Sequence, residues 1–547
     1  MPRDVQRIPR KAVLLSLLGV LLLAVLPGRP LGAQPLKGVV WAVPPSVEQA
    51  QDDLIRMHRA GVEAVRTGLV TDERLLALAD TLGLRLFQEL PLDYLPARLL
   101  ADTLAHARRL LAEAWARSRN HPAARHFGLA RRSDTADPAA CAFFEALAAL
   151  LPRDEGVQVY YVSAFPRADR CRDTVDFVLY DGHDALSSVP LPLPFGLATL
   201  GAPVDPGAAP GLRRPYSPEA QARFLETHLT ALLDAGAGPV AVFVHRWRDA
   251  PAASPANPEP PDPYGRRYGL HDATGTPRPA FAVVAGLYTG RQRVFAFPAG
   301  QSPAPPVPWL PLTGWGLLAL LALYYAQSPR ARLMVPRYFL AHTFYGEALR
   351  EGRDVLPLGS TLLLMAAATA VGMVTALVAE TYRTSAAALA LLHTLPPGLR
   401  AVATGLLLHP WMALLLTGSL YVLVLSLWAS VIALTTRRRR LTPAQVFMLV
   451  AWPRWSFLLL MLAAMVTASL PAEARPLPLL LAVTLALMLG ALIRTVIDYA
   501  RITRPTPLLL ATVILTHPLV LSLPLAALAL SLFGPWLTFL GHLLGAR

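Results

Sequence analysis

Residues 62–89 read VEAVRTGLVTDERLLALADTLGLRLFQE, and this stretch indicates the fold of the first half of the chain. Its two ends, 62–67 and 84–89, are short runs of mostly apolar residues that predict β-strands. The segment between them, 72–82, repeats its leucines at helical spacing and predicts a helix. A strand, a helix and a second strand in close succession are typical of α/β folds, in which helices connect parallel strands.

The same alternation of strands and helices continues on both sides of this stretch and fills residues 34–300. Eight strands interleaved with helices match a (β/α)8 TIM barrel in number and length. A doubly wound open sheet is the alternative, but no glycine-rich phosphate loop follows the first strand. The predicted strands are 38–43, 62–67, 84–89, 125–129, 157–163, 175–180, 195–199 and 240–245, and the predicted helices are 47–59, 72–82, 99–118, 139–150 and 218–235.

The composition indicates a membrane protein, because 54% of the 547 residues are hydrophobic and 16% are charged. Soluble proteins usually carry about 25% charged residues. The net charge is +14, but the arginines flank the apolar segments of the second half, as the positive-inside rule expects. No basic stripe with interleaved aromatic residues is present, so we expect a lipid bilayer and no nucleic acid as a partner.

The N-terminal residues 1–33 have the pattern of a signal peptide. Four basic residues precede an apolar run at 12–26, and small residues lead up to a cleavage site after Ala33. An uncleaved N-terminal anchor is the alternative. In both cases the following domain, 34–300, is expected outside the cytoplasm, on the periplasmic or extracellular side.

After a linker at 301–308, the segment 309–547 predicts an all-α transmembrane bundle of about six helices. A semi-polar loop follows the second span, and a tail from residue 534 is expected to lie in the membrane interface. Six spans place the basic loops 330–353, 437–440 and 501–504 together in the cytoplasm. The predicted spans are 309–326, 356–379, 410–434, 446–470, 477–497 and 507–533, the last broken near Pro518 and Pro524.

The apolar block resembles the Yip-type family of small multi-span membrane domains, in span number and in the basic, aromatic approach to the second span. Polar residues inside predicted spans are candidates for function, although most of these lie near span ends, where snorkelling explains them. They are His409, Arg454, Arg494, Asp498 and His517. A trafficking or transport function, with the first domain as a sensor, is one alternative.

The chain has two cysteines, Cys141 and Cys171, and both lie in the domain expected outside the cytoplasm. An oxidising compartment permits a disulfide between them, but the sequence alone does not bring their Cα atoms within reach. The cysteines have no clustered histidines beside them, and no nucleotide-binding motif is present. We therefore expect neither a metal nor a cofactor.

The chemistry of a TIM barrel lies at the C-terminal ends of its strands. Tryptophan, histidine and carboxylates in one cleft suit a sugar, which needs a stacking face and partners for its hydroxyls. Alternatively, Arg66 and Glu89 form a buried ion pair across adjacent strands. The candidate ligand-binding residues at these strand ends are Arg66, Glu89, Asp181, His183, His245, Trp247 and Asp249.

Three motifs resemble the barrel domain of glycoside hydrolase family 2, the β-galactosidase and β-glucuronidase group. Residues 65–89 resemble the second strand, second helix and third strand of that family. The run RSRNHP at 117–122 resembles the segment before its fourth strand, and adds Asn120 and His121 to the candidate ligand-binding residues. Near the end, YGLHD at 268–272 and PRPAF at 277–281 resemble the family's closing motif.

The catalytic residues of that family are missing from this chain. In the family, Gly-Asn-Glu ends the fourth strand and supplies the acid/base, and a glutamate ends the seventh strand as the nucleophile. Here Arg131 and Arg132 occupy the Asn-Glu positions, and Thr199 occupies the nucleophile position. A retaining glycosidase needs two carboxyl groups about 5–5.5 Å apart. Arginine stays protonated, and threonine without an adjacent base is a poor nucleophile.

The sequence therefore predicts a degenerate, non-catalytic barrel displayed outside the membrane, which binds an envelope glycan or an envelope protein partner. An active glycoside hydrolase with relocated carboxylates, Glu89 and Asp181, is the second hypothesis. The sequence leaves open which of the two applies, and so whether the chain is an enzyme.

Overall fold

The computed structural model describes residues 35–181, 195–205, 207–234, 239–249, 262–304, 307–436 and 441–545. The predicted signal peptide at 1–33 and the candidate His183 lie outside the described residues. The chain divides into two compact units, with the main boundary between Ser302 and Pro303.

The first unit contains a closed barrel of eight parallel strands in sequence order, which confirms the predicted fold class. Closure is made by the first and last strands, which pair in register at Lys37 and Val242. The strands are β1 Leu36–Val40, β2 Ala64–Gly68, β3 Arg85–Glu89, β4 His126–Arg131, β5 Gln158–Ser163, β6 Phe177–Asp181, β7 Phe195–Leu200 and β8 Ala241–Val244.

Helices follow six of the eight strands. Between β5 and β6 the described chain instead forms a short 3₁₀ turn, Arg172–Thr174, and residues 182–194 between β6 and β7 are outside the described part. The helices are α1 Val47–Arg59, α2 Glu73–Leu82, α3 Ala97–Ser118, α4 Cys141–Ala148, α5 Pro218–Asp234 and α6 Pro279–Thr289.

Local sequence determines where α2 begins and ends. Asp72 caps its N-terminus, because its carboxylate accepts a hydrogen bond of 2.9 Å from the backbone N–H of Arg74. Gly83 follows its last residue with a φ of 67°, a left-handed conformation that favours glycine. The chain is thus turned directly from α2 into β3, whose last residue, Glu89, belongs to the site described below.

The barrel interior is filled by alternating large and small side chains. A Cβ at Gly38 would lie 2.4 Å from the ring of Phe243, and a Cβ at Gly128 would lie 2.9 Å from the ring of Tyr160. Each glycine therefore makes room for an aromatic ring from another strand. A packed interior of this kind leaves only the ends of the strands available for function.

The second unit is helical throughout its described part. Its helices are α7 Trp309–Gln327, α8 Pro329–Leu340, α9 His342–Glu351, α10 Pro357–Tyr382, α11 Ala386–Thr394, α12 Pro397–Leu408, α13 Pro410–Thr436, α14 Pro443–Ala451, α15 Phe457–Ala468, α16 Leu477–Thr503, α17 Pro507–Leu515 and α18 Pro518–Gly545.

Five of these helices, α7, α10, α13, α16 and α18, are long and apolar enough to cross a membrane. The segments 443–454 and 457–468 form a sixth candidate span that is bent by 47°. This set is compatible with a multi-pass membrane protein. The bend follows Trp452–Arg454, a 3₁₀ turn that contains Pro453, and proline removes a helical hydrogen bond.

Two details of the predicted bundle were wrong. The predicted loop after the second span contains two helices, α11 and α12, and the chain continues as helix through Pro524, where a break was predicted. The predicted break near Pro518 is present, between the end of α17 at Leu515 and the start of α18. A kink at Phe533, where the torsion angles are non-helical, separates residues 534–545 from the rest of α18, and their interfacial position stays a prediction.

Small residues allow α10 and α13 to pack closely. A Cβ at Gly372 would lie 2.5 Å from the carbonyl oxygen of Leu414, and a Cβ at Gly418 would lie 3.2 Å from that of Ala368. Close backbone approach through small residues is typical of helices that associate in a bilayer.

Candidate functional site

The C-terminal ends of β3, β4 and β6 bring arginines and carboxylates together at the barrel mouth. Successive residues of a regular strand point to opposite faces. In β4, however, the pairing register shifts between Gly128 and Arg131, and the next residue, Arg132, has a φ of 50°. This irregularity lets both consecutive arginines reach carboxylates at the mouth.

Glu89 is held by two arginines and a tyrosine. Its side chain is fully buried, as is that of Arg66, whose Nε and Nη2 donate to the two carboxylate oxygens over 2.6 and 3.0 Å. The Nη1 atom of Arg131 lies 3.4 Å from Oε2, and the hydroxyl of Tyr160 donates to Oε1 over 3.2 Å. The buried ion pair considered from the sequence is therefore present, and it belongs to a cluster that also contains Arg131 and Tyr160.

Arg131 also binds a second acid. Its Nε donates to Oδ1 of Asp93 over 2.7 Å, and its Nη2 donates to Oδ2. Two parallel N–H···O contacts of this kind form a bidentate pair, which fixes the planes of both groups. Asp93 was not among the residues selected from the sequence, because it lies in the loop after β3 and outside any motif.

Asp181, at the end of β6, pairs with Arg132 and with Thr199. The Nε atom of Arg132 donates to one carboxylate oxygen, and the hydroxyl of Thr199 donates to the other. The guanidinium of Arg132 also lies over the ring of Tyr94, 5.7 Å from its centroid. Arg132 and Thr199, which the sequence resemblance predicted at catalytic positions, thus hold the same carboxylate.

These contacts restrict what the mouth can do chemically. Arg66, Arg131 and Arg132 balance the charges of Glu89, Asp93 and Asp181. Each of these carboxylates is therefore already bound to at least one arginine. Burial raises the pKa of Tyr160, as does the nearby charge of Glu89, so this hydroxyl remains a hydrogen-bond donor.

Two other groups near strand ends have pKa values shifted by burial. Burial and the charge of Arg85 lower the pKa of His126, the first residue of β4, to about 4. Its ring stacks on Phe87 at 4.1 Å inside the barrel. Burial raises the pKa of Asp169, whose Oδ1 accepts a hydrogen bond of 2.7 Å from the hydroxyl of Tyr161.

Asn120 and His121 lie away from the mouth. They directly precede β4, so they belong to the N-terminal end of the barrel. Asn120 is exposed. The Nδ1 atom of His121 lies 2.6 Å from Oδ2 of Asp80, whose other oxygen accepts from the backbone N–H of Ala123 over 2.7 Å. This arrangement fixes the chain between α3 and β4 and does not form a ligand site at the mouth.

The segment after β8 also holds structure together. Trp247 is 1% exposed and packs against His271 and Phe281, so its ring does not offer a stacking face. Asp249 accepts hydrogen bonds from Arg278 over 2.5 Å and from the backbone N–H of Gly269 over 2.8 Å.

His245 directly follows β8 and is buried. Its ring lies 4.9 Å from that of Tyr268.

Cys141 and Cys171 form a disulfide, with their Cα atoms 4.8 Å apart. It joins the start of α4 to the loop between β5 and β6. Among the described residues, no group of three or more His, Cys, Asp or Glu side chains could hold a metal ion.

The second unit contains a buried polar cluster. The carboxylate of Asp498 on α16 lies 2.8 Å from Nε2 of His342 and 3.4 Å from Nε of Arg494. Arg454 is 1% exposed, and it donates to the hydroxyl of Tyr421 over 3.0 Å and to the carbonyl of Val450. The second contact occupies a carbonyl at the bend of the sixth candidate span, which gives Arg454 a structural role.

The first unit is a closed barrel of eight parallel strands, and three carboxylates at its mouth are paired with arginines. The chain matches no protein-family model and no curated protein sequence, but its fold is similar to solved structures. A family GH2 β-galacturonidase from Eisenbergiella tayi, solved with bound galacturonate, matches with a TM-score of 0.42 and 18% identity, over 48% of this chain and 52% of that one.

Two β-glucuronidases match in a comparable way. The enzyme from Ruminococcus gnavus has a TM-score of 0.40 and 15% identity, over 49% of this chain and 51% of that one. The enzyme from Dictyoglomus thermophilum has a TM-score of 0.40 and 16% identity, over 49% and 52%. The chain thus spans about half the length of each of these enzymes.

Proposed function

We propose that this chain is a membrane-anchored protein whose barrel lies outside the cytoplasm, binds carbohydrate and does not hydrolyse it. The observation that carries the non-catalytic part is the pairing of Glu89, Asp93 and Asp181 with arginines. A retaining glycosidase must cycle one carboxyl group between acid and base while the other attacks the sugar. Arginine cannot take either role, since it does not lose its proton near neutral pH.

Relocation of catalysis to Glu89 and Asp181 is disfavoured by the same contacts. Glu89 has no exposed side-chain surface, so substrate does not reach it without a rearrangement of the mouth. Asp181 has 19% of its side chain exposed, but both of its oxygens already accept hydrogen bonds.

Carbohydrate binding is supported by the chemistry that remains exposed. The side chains of Asp93 and Asp181 keep 20% and 19% of their surface accessible, and each is fixed by an arginine. Each carboxylate oxygen has two lone pairs, so a carboxylate that already accepts from arginine also accepts hydrogen bonds from sugar hydroxyls, and charge-assisted hydrogen bonds are stronger than neutral ones. The five candidate spans and the basic loops predicted on one side of them support anchoring with the barrel outside.

Binding is tested with the full chain in lipid nanodiscs on a glycan array, followed by titration of the glycans that bind. Asp181→Asn should weaken binding at least tenfold. Asp176→Asn is the matched control, because Asp176 pairs with Arg153 over 2.6 Å at the opposite end of the same strand; it should bind as the unmodified chain does. Equal loss in both variants, or capture of an envelope protein with no glycan bound, would contradict a carbohydrate site at the mouth.

Anchoring and sidedness are tested separately. The chain should remain in the membrane fraction after carbonate extraction, and a protease added outside spheroplasts should remove the barrel. Protection of the barrel in intact spheroplasts would contradict the proposed orientation.

A further inference from the structure

The second unit contains a cavity of about 340 Å³ that the proposed function does not use. This volume lies in the range of sites that hold small organic ligands. It is bounded by the end of α7, the start of α8, the start of α10 and the bend of the sixth candidate span. Lining residues from these elements include Leu321, Tyr324, Ala331, Val335, Trp452 and Trp455.

The cavity lining is apolar, and part of it belongs to α7, a candidate span that is poorly covered by protein. In the apolar window of α7, 17% of the residues are buried inside the protein, against 72% for α10. The uncovered surface of a spanning helix faces lipid, and lipid tails are as apolar as the leucines beside them. The occupant that this cavity fits is therefore a hydrocarbon chain.

The positive charge at the junction between α7 and α8 indicates that the occupant also has an anionic headgroup. Arg330 and Arg332 flank Ala331, which lines the cavity, and both arginines are exposed. Neither forms an ion pair with another described residue. They follow the end of a candidate span within a few residues, which is where arginines attract anionic lipid headgroups.

A buried donor in the lining also needs an acceptor. Trp455 lines the cavity, and its indole Nε1 is buried without a hydrogen-bond partner in the described part of the chain. A buried indole N–H usually finds a partner, since leaving it unpaired is costly. The ester oxygens of a glycerolipid lie between its chains and its headgroup, and they accept such hydrogen bonds.

We infer that this cavity binds one acyl chain of an anionic glycerolipid, whose headgroup is held by Arg330 and Arg332. The inference rests on the proposed membrane anchoring and is independent of what the barrel binds. The lipid would fill the gap between α7 and the bent span, and so attach α7 to the rest of the bundle.

The test uses the full chain in nanodiscs of equal parts phosphatidylglycerol and phosphatidylcholine. The chain is transferred to mild detergent, and the retained lipid is identified by native mass spectrometry. Ala322→Trp places an indole in the cavity from its exposed wall, and Ala319→Trp adds the same group to an exposed position of α7 outside the lining. Ala322→Trp should lose the retained phosphatidylglycerol, and Ala319→Trp should keep it.

The headgroup contact is tested by Arg330→Gln with Arg332→Gln. An arginine close to the headgroup contributes about fivefold to the preference for anionic lipid, and this contribution falls off within a Debye length, so loss of the pair should reduce the preference by more than tenfold. The control is Arg350→Gln with Arg501→Gln, two exposed arginines elsewhere in the unit, which should leave the preference unchanged. Both arginine variants change exposed side chains, so neither depends on the fit of a new side chain in the cavity.

Retention of phosphatidylglycerol in Ala322→Trp, equal retention of phosphatidylcholine by the unmodified chain, or equal effects of both arginine pairs would overturn the inference. Failure of the chain to enter nanodiscs would instead contradict the proposed anchoring. The two failures are therefore distinguishable.

Discussion

Replacing Glu89 by glutamine tests whether the arginines at the mouth are structural. Glutamine keeps the shape of the side chain but removes the charge that compensates Arg66, which is fully buried beside it. Loss of one partner of a buried ion pair typically costs about 3–5 kcal/mol, because the remaining charge stays buried. We expect the free energy of unfolding of the barrel to fall by about that amount.

The assay is hydrogen–deuterium exchange of backbone amides in β2 and β3, measured on the full chain in detergent. Core amides exchange through global opening, so their protection reports the free energy of unfolding. Asp181→Asn is the comparison, since 19% of that side chain is exposed and a lost charged hydrogen bond costs about 1.5–3 kcal/mol. The double substitution Arg66→Met with Glu89→Leu should recover most of the lost free energy of unfolding.

An increase in stability on Glu89→Gln would contradict a structural role for the ion pair of Arg66 and Glu89. Catalytic carboxylates are often held at a cost to stability, and their removal can stabilise the fold. Such a result would show that Glu89 is kept for chemistry despite its arginine contacts.

Three further predictions concern the barrel, each measured by the same exchange assay. Burial lowers the pKa of His126 to about 4, below its ordinary value near 6.5, so the unfolded chain binds more protons between these values. This group should lower stability by roughly 3 kcal/mol from pH 6.5 to pH 4. His126→Leu should reduce the slope by that amount and leave the smaller part that His271 contributes, while the exposed His58→Gln should keep the slope. Reduction of the disulfide, which closes a separation of 30 residues, should cost about 3–4 kcal/mol, with no effect of reductant on the double Cys→Ser variant. Gly128→Ala should cost about 1–3 kcal/mol, since its Cβ would lie 2.7 Å from Glu89; an unchanged stability would contradict the tight packing of the interior.

The barrel was predictable because buried parallel strands leave a strong sequence pattern. Each predicted strand overlaps an observed one, and the helix at 47–59 matches α1 in both bounds. The helical second unit was less predictable in detail. Apolar residues favour helices everywhere in it, so the positions of breaks depend on packing and on single prolines.

The site was predictable only where strand order alone determined position. Arg66 and Glu89 end neighbouring strands, and their pairing could be considered from the sequence. The approach of both Arg131 and Arg132 to the mouth depends on the irregular pairing of β4, which no local pattern reveals. The placement of Asn120 could have been corrected from the sequence, because residues that precede a barrel strand lie at the end opposite the mouth.

The contributions of Trp247 and Asp249 could not be judged from the sequence. Both residues follow β8 at the expected end of the barrel. Only the packing of the closing motif shows that their side chains face that motif. Arg278 of that motif takes the carboxylate of Asp249, and Phe281 covers the ring of Trp247.

Turnover of aryl glycosides tests whether the barrel binds carbohydrate without cleaving it. The full chain in nanodiscs is incubated with a panel of aryl β-galactosides, β-glucuronides and β-galacturonides, and release of the aryl group is followed. We predict no release above the rate of a matched sample without protein. Release that is lost in Asp181→Asn and kept in Asp176→Asn would contradict a non-catalytic barrel, because it would show that a carboxylate at the mouth performs catalysis despite its arginine.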